Sequence, residues 1–381
     1  MTERQRALQL LRRIERESSF AAPLLVNEPG FVRTLVLGIL RWRTRLDFAI
    51  DFLAKGKIEP EVREVLRIGA YQLAFMDVAQ YAAVAETVEL APKRARGFVN
   101  AILRRIAEGK APEPKDLATR TSHPEWLIER WTRTYGVERA ARIAEANQEL
   151  SYPDVFTSEP PPGAEPSTLV PGVWKLKGSS ADVEGYALDE GSALVAAIAA
   201  KTSDDVLDLA AAPGGKTIVM RALGVHVISN DISIARLRSV KGVVSDGRQP
   251  PFARRFRTVL LDAPCSATGT IRKNPELKWR LREDDLASFA RLQRELLASA
   301  MQLASEYVVY STCSLEPEEN DDIVRGFERV DIAQFAPDGA KPWIENGVLR
   351  LTPDSGADGF TAFVLRPLPS SRAWVQGPGG V

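Results

Sequence analysis

Two cysteines occur in the 381 residues, and each lies in a short motif of small and polar residues. One motif is Leu261-Asp262-Ala263-Pro264-Cys265-Ser266-Ala267-Thr268-Gly269, the other Tyr310-Ser311-Thr312-Cys313-Ser314. A single free cysteine is usually a small buried hydrophobe. Here each thiol lies a few residues beyond a short apolar run, 258–261 and 307–310, so both stand at the ends of consecutive predicted sheet strands. Neighbouring strands run ~4.8 Å apart, which lets two such thiols face one pocket. Two thiols with a nearby carboxylate, Asp262, suit nucleophilic catalysis, in which a thiolate divides one difficult step into easier ones. A disulfide is disfavoured in a reducing compartment. The two histidines, His123 and His226, sit in unrelated segments without metal-ligand spacing, so no metal site is expected and neither histidine is assigned a role. Serine-hydrolase chemistry lacks a well-placed base.

A third motif, Asp208-Leu209-Ala210-Ala211-Ala212-Pro213-Gly214-Gly215-Lys216-Thr217, follows another predicted strand. Its small residues and glycines let the backbone approach a ligand, and the next helix can turn its amino end to an anionic group. Gly215-Lys216-Thr217 resembles the ending of a phosphate-binding loop, but Ala210 stands where that loop needs glycine, and Pro213 stiffens the turn. The dinucleotide fingerprint is missing as well. Asn230-Asp231 and Asp246-Gly247 end two further predicted strands. An acidic residue at the first suits ribose hydroxyls, and one at the second is expected to reach the base of the same ligand.

These residues need a frame that gathers strand ends. Residues 1–110 carry apolar positions at helical spacing, among them Leu35, Ile39, Val62, Val65, Leu66, Val99, Ile102 and Leu103, and predict an all-α domain. A Pro-containing linker at 111–114 follows, then another helical stretch, 123–150, with Trp126, Leu127 and Trp131 on one side. Residues 151–185, rich in Pro and Gly, read as a loop-dominated connector with two short strands, one at 173–176. Beyond it short apolar runs at 205–210, 225–229, 243–244, 258–261 and 307–310 alternate with helical segments, the clearest at 286–304. That alternation predicts a doubly wound, mostly parallel α/β sheet with an added edge strand at 361–365. Ligands in such sheets bind at the carboxyl ends of the strands, where the order reverses.

Composition agrees with a globular chain: 45% hydrophobic, 26% charged and zero formal net charge. The balance is local. Residues 1–110 hold 19 basic against 13 acidic residues, and 251–294 hold 10 against 5, whereas Glu316, Glu318, Glu319, Asp321 and Asp322 gather after Cys313. The basic stretches suit phosphate contacts or, equally, solvated helix faces. No apolar run approaches the ~20 residues that span a bilayer, and the first residues lack a secretion signal, so a cytoplasmic protein without membrane contact is expected.

One substrate class needs a thiolate beside a carboxyl group in this way. Carbon 5 of cytosine is a poor nucleophile until a thiolate adds at carbon 6 and loads electron density onto carbon 5. The Asp-Ala-Pro-Cys-Ser, Ser-Thr-Cys-Ser and Ala-Ala-Pro-Gly-Gly-Lys-Thr motifs resemble those of the RsmB/Sun family of RNA cytosine methyltransferases, as do Asn274-Pro275-Glu276-Leu277-Lys278-Trp279-Arg280 and Leu315-Glu316-Pro317-Glu318-Glu319-Asn320. Tyr81 to Leu90 and Gly97 to Ala101 resemble a NusB-like RNA-binding domain, a fusion characteristic of the small-subunit rRNA enzymes. The resemblance covers nearly the whole chain. It implies a Rossmann-like methyltransferase domain that uses S-adenosylmethionine on small ribosomal subunit rRNA. Cys313 would be the nucleophile, Cys265 would assist product release, and Asp262 would face base and cofactor. Ala210, Ala211, Ala212, Pro213, Gly214, Gly215 and Lys216 would form the cofactor loop, joined by Asp231 and Asp246. The expected division is a NusB-like domain at 1–112, a helical linker and shortened connector at 113–185, a methyltransferase domain at 186–368 and a flexible tail at 369–381, in a monomer.

Three departures from the family pattern bear on function. Ala267 replaces the usual glycine, the segment between Asp231 and Asp246 is short, and the connector shows Val155-Phe156-Thr157-Ser158 in place of an expected Arg-Val-Asn stretch. The competing expectations are a catalytically weakened ribosome-assembly factor on the same fold and a nucleotide hydrolase, the latter opposed by Ala210.

Overall fold

The computed structural model describes residues 1–178, 183 and 185–367, and the tail expected at 369–381 lies outside them. The described residues form two compact units. One comprises Met1–Leu150 with Ile271–Arg282, and the other Ser151–Thr270 with the chain from Glu283 onward.

The first unit is helical. It begins with a capping box, in which the Thr2 side chain accepts from the Gln5 amide and the Gln5 side chain accepts from the Thr2 amide. The apolar positions read at helical spacing enter one core, including Leu35, Ile39, Val65, Leu66, Val99 and Leu103. The stretch expected as a linker belongs to this compact unit, and carries the helices Glu125–Tyr135 and Val137–Ala146. The long helix Gly30–Ala54 is kinked at Trp42, where φ is −107° and ψ 16°. The kink frees backbone groups, and they find partners elsewhere in the unit. The Thr44 amide donates to Ser122 Oγ at 2.8 Å, and the Leu40 and Arg41 carbonyls accept from Trp279 Nε1 and Lys278 Nζ, each at 2.7 Å. Glu276 accepts the Ala21 amide at 2.8 Å. The motif 274–280, remote in sequence, is thus seated on this helix.

The second unit contains two sheets. The connector forms three short strands, β1 (Asp154–Phe156), β2 (Glu165–Pro166) and β3 (Val173–Lys175), which join β4 (Tyr186–Leu188) just beyond it in the antiparallel order β2-β3-β1-β4. Two strands were expected. All are two or three residues long, below the length at which alternation is visible in sequence.

The large sheet comprises β5 (Asp205–Asp208), β6 (His226–Asp231), β7 (Val243–Val244), β8 (Phe256–Asp262), β9 (Ala304–Thr312), β10 (Arg329–Val330), β11 (Ile344–Glu345), β12 (Val348–Leu351) and β13 (Phe360–Leu365). Its order is β11-β12-β13-β9-β8-β5-β6-β7, with β10 paired to β13. The strands β5 to β9 are parallel, so the expected doubly wound arrangement is present, with its reversal point between β5 and β8. The last strand corrects the reading of 361–365 as an edge. It lies inside the sheet, antiparallel to both β9 and β12, and all six of its residues are buried. An interior strand buried on both faces reads as a continuous apolar run, and that run alone does not reveal that two partners flank it.

Alternation along these strands builds two cores. Val206, Leu260 and Val309 join one with the helices Glu190–Thr202 and Gly215–Ala222, while Leu207, Val259, Leu261, Val308 and Tyr310 join the other with the helix Asp285–Leu303. Covered on both faces, the sheet leaves the carboxyl ends of its strands as the place for chemistry.

Candidate active site

The reversal point places Asp208 at the end of β5 and Asp262 at the end of β8, with β9 beside β8 in the register Asp262↔Ser311. Asp262 accepts from Ser311 Oγ at 2.8 Å through Oδ1 and from Lys216 Nζ at 2.6 Å through Oδ2. Lys216 also donates to Ser192 Oγ at 2.7 Å. Burial opposes the charge on Lys216, but the Asp262 carboxylate, with help from Asp208 and Cys313, outweighs it and holds the ammonium above the ordinary lysine range. The loop motif 208–217 is therefore tied to the motif 261–269 through one partly buried ion pair.

Beyond these strand ends the chain turns, and Cys265 Sγ lies 3.3 Å from Cys313 Sγ, both residues partly exposed. Two thiols this close do not ionise independently. The Cys265 thiol is pushed well above the ordinary thiol range by its bond to Cys313, by burial, and by the charges of Cys313, Glu319 and Asp262. Backbone contacts lock the turns together. The Gly269 amide donates to the Cys313 carbonyl at 2.9 Å, and the Gly359 amide donates to the Gly269 carbonyl at 2.8 Å. A Cβ on Gly269 would come within 2.4 Å of the Gly359 oxygen. Ala267, where glycine was the expected residue, has φ of +60°, in the left-handed region that costs a non-glycine residue ~1–2 kcal/mol.

The loop 210–216 is organised from β6. The Ala211 amide donates to the Asn230 carbonyl at 2.8 Å and the Ala212 amide to Asp231 Oδ2 at 3.0 Å, while Asp231 Oδ1 accepts the Ser233 amide at 2.9 Å. The Ala212-Pro213 peptide is cis, and Gly214 has φ of +110°. The short segment after Asp231 makes a single tight turn, Leu237–Ser239, and folds back on this loop, with Leu237 and Val240 packed against Ala211 and Ile218. A Cβ on Gly214 would meet Val240 at 2.8 Å. Asp246 lies at the rim, its carboxylate held by Arg248 at 2.7 Å.

The structure thus joins Asp262, Cys265, Cys313 and Lys216 in one cluster and Ala211, Ala212 and Asp231 in a second. Asp246 is engaged with Arg248 instead. Sequence reasoning missed Asp208, Ser192, Ser311 and Glu319. Asp208 is buried, accepts from Thr217 Oγ1 at 2.6 Å, and is raised to about 7, chiefly by burial. Its place at a strand end was the available signal. Glu319 stood only as one of the acidic residues that gather after Cys313 and as part of the motif 315–320, and it is wholly buried. Among the described residues no group of three or more His, Cys, Asp or Glu is placed to hold a metal ion, and no helix is long and apolar enough to cross a membrane.

Comparison with known proteins places this arrangement. The family model of 16S rRNA methyltransferase RsmB/F matches residues 195–363, and that of the NusB family matches residues 1–108. The ribosomal RNA small subunit methyltransferase B of Thermus thermophilus is 33% identical, over 96% of this chain and 94% of its own length. This chain belongs to the RsmB/F family of 16S rRNA methyltransferases. The corresponding protein of Vibrio cholerae is 32% identical over 89% of each chain, and a probable one of Bacillus subtilis 29% identical over 94% of this chain and 97% of its own. The solved structure of PH0851 shares 25% identity and a TM-score of 0.73, covering 96% of this chain and 98% of that one. The family fold expected from the motifs, a NusB-like helical region before a Rossmann-like domain, is present, and S-adenosylmethionine is the methyl donor the family uses.

Proposed function

We propose that this RsmB/F-family methyltransferase acts on carbon 5 of a cytosine in 16S rRNA through a covalent bond to Cys313. The 3.3 Å approach of the two sulfurs, beside a carboxylate anchored by Lys216, carries the reading. The residues also fit the donor. The first amides of the helix Gly215–Ala222 lack intrahelical acceptors, which suits a carboxylate, and Asp208 Oδ1 is buried with no partner among the described residues, which suits an ammonium group. Asp231 is the candidate for the ribose hydroxyls, and Asp246, once released from Arg248, for the base. S-adenosylmethionine, when bound, supplies the methyl group.

The rest is done by the chain. Cys313 adds as thiolate to carbon 6 of a cytosine that has left its stack. Asp262, fixed by Ser311 and Lys216, faces ring nitrogen 3; as carbon 6 is attacked, that nitrogen takes up the proton given up by the Cys313 thiol, and the carboxylate accepts a hydrogen bond from the resulting N–H. Cys265, held protonated at rest, does not compete for carbon 6; after methyl transfer a base removes the carbon 5 proton, the bond to Cys313 breaks with Cys313 leaving as thiolate, and Cys265 assists this release. The helical residues 1–112 dock rRNA, and the protein works as a cytoplasmic monomer without a metal ion.

A denaturing gel with labelled rRNA and S-adenosylmethionine tests the roles. Cys313→Ala should abolish turnover and any adduct, whereas Cys265→Ala should accumulate a denaturant-resistant protein–RNA complex. An adduct in the first variant alone would reverse the assignment, and full activity in both would end the covalent mechanism.

A further inference from the structure

The same dipeptide, Cys-Ser, ends both thiol motifs, and the mechanism leaves its serines without a task. In the structure both serines converge on Glu319, which is 0% exposed. Glu319 Oε1 accepts from the Ser266 amide at 2.9 Å and from Gln293 Nε2 at 3.0 Å. Glu319 Oε2 accepts from both the Ser266 and Ser314 hydroxyls, which lie 3.0 Å from each other. Gln293 also donates to the Pro264 carbonyl at 3.0 Å, so Cys265 is held on both sides. The Glu319 backbone is itself anchored, its carbonyl accepting from Tyr310 Oη of β9 at 2.7 Å.

We propose that Glu319 is a positioning residue for the two-thiol reaction: one carboxylate grips the residue after each cysteine and thereby sets the spacing of the two sulfurs. This rests on the covalent reading above. The geometry favours a carboxylate over any neutral side chain. Its bonds are all donated to it, and an acceptor-only group with several lone pairs satisfies them at once. A glutamine in its place presents a donor to groups already arranged as donors. Burying a charge without a cation is costly unless hydrogen bonds compensate it, and no ion pair to Glu319 is found among the described residues. The charge has a use. It adds to the pressure that keeps Cys265 a thiol.

The test uses the full chain without RNA, so that it does not depend on the covalent reading. Diamide takes two electrons from a thiol pair, becoming a hydrazine as the disulfide forms, and its cross-linking rate reports sulfur spacing. Glu319→Ala should slow cross-linking of Cys265 to Cys313 at least tenfold while the protein still melts cooperatively and binds S-adenosylmethionine within about twofold of the unaltered chain. In Glu319→Gln, which keeps the size and loses the charge, iodoacetamide should modify Cys265 at a lower pH than in the unaltered chain. Unchanged cross-linking in a folded Ala variant, or an unchanged alkylation profile in the Gln variant, overturns the proposal. If the Ala variant does not fold, the Gln profile alone decides. Failure of the covalent reading would show instead in the RNA gel, with both thiol measurements as expected.

Discussion

The two ends of the parallel sheet are built to different standards. At β8 and β9 the turns are bound by backbone to backbone, by paired serines and by a buried carboxylate, and Ser314 and Glu319 have no exposed surface. At β6 and β7 the turns are short, β7 has two residues, and Ile232, Ile234 and Val244 are 66%, 74% and 47% exposed. The contrast follows the chemistry. In the proposed reaction, bond formation at carbon 6 would tolerate little misplacement, because reacting atoms must meet at near-attack distance. Cofactor binding, proposed for the β6 and β7 end, would sum several moderate contacts and tolerate a looser frame.

The largest expected effect comes from forcing the tight end apart. Gly269→Ala puts a methyl group against the Gly359 carbonyl, with backbone on both sides and no side chain to yield. Overpacking of this kind costs ~1–3 kcal/mol of stability, and methyl transfer should fall by at least ~100-fold because the Cys313 turn is bonded to Gly269. Full activity in this variant would show that the thiol turns are free to rearrange and would remove the contrast.

Asp208 stands between the two ends, and its effect should be intermediate. Its folded-state value, about 7, lies above the ordinary aspartate value, so the unfolded chain gives up its proton first as pH rises. Stability contributed by the protonated group is complete below pH ~4, falls as pH rises to about 7 and is lost above that, a difference on the order of a few kcal/mol. Asp208→Asn, which still accepts from Thr217, should flatten this dependence and raise the melting temperature at pH 8 more than at pH 5. Parallel melting curves for both proteins across that range would mean that the carboxyl is ionised in the fold.

The smallest effect should come from the loose end. Asp231→Ala unties the Ala212 and Ser233 amides, and losing a bond to a charged acceptor costs ~1.5–3 kcal/mol. Calorimetry should show S-adenosylmethionine affinity reduced by about tenfold or more, with diamide cross-linking of the thiols unchanged. Unchanged affinity would show that the fold-back of Leu237 and Val240 has taken over the pocket, and altered cross-linking that the two ends are coupled.

Much of this molecule is legible without coordinates, because chemistry-bearing residues cluster at predicted strand ends and a parallel sheet collects such ends on one side. The motifs holding Cys265, Cys313, Asp262 and Lys216 and the helical nature of residues 1–110 follow from residue type and period alone. What tertiary structure decided is partnership. The seating of 274–280 on the kinked helix depends on carbonyls freed at Trp42, which no local pattern announces. β13 lies inside the sheet because strands too short to read, β10 and β11, and β12 extend it. Glu319 has the composition of a surface acid, and only four donors, from the remote Ser266 and Gln293 and the nearby Ser314, make its burial affordable. Period and residue type report which way a side chain tends to face, whereas the groups that will satisfy a buried charge are chosen by the fold.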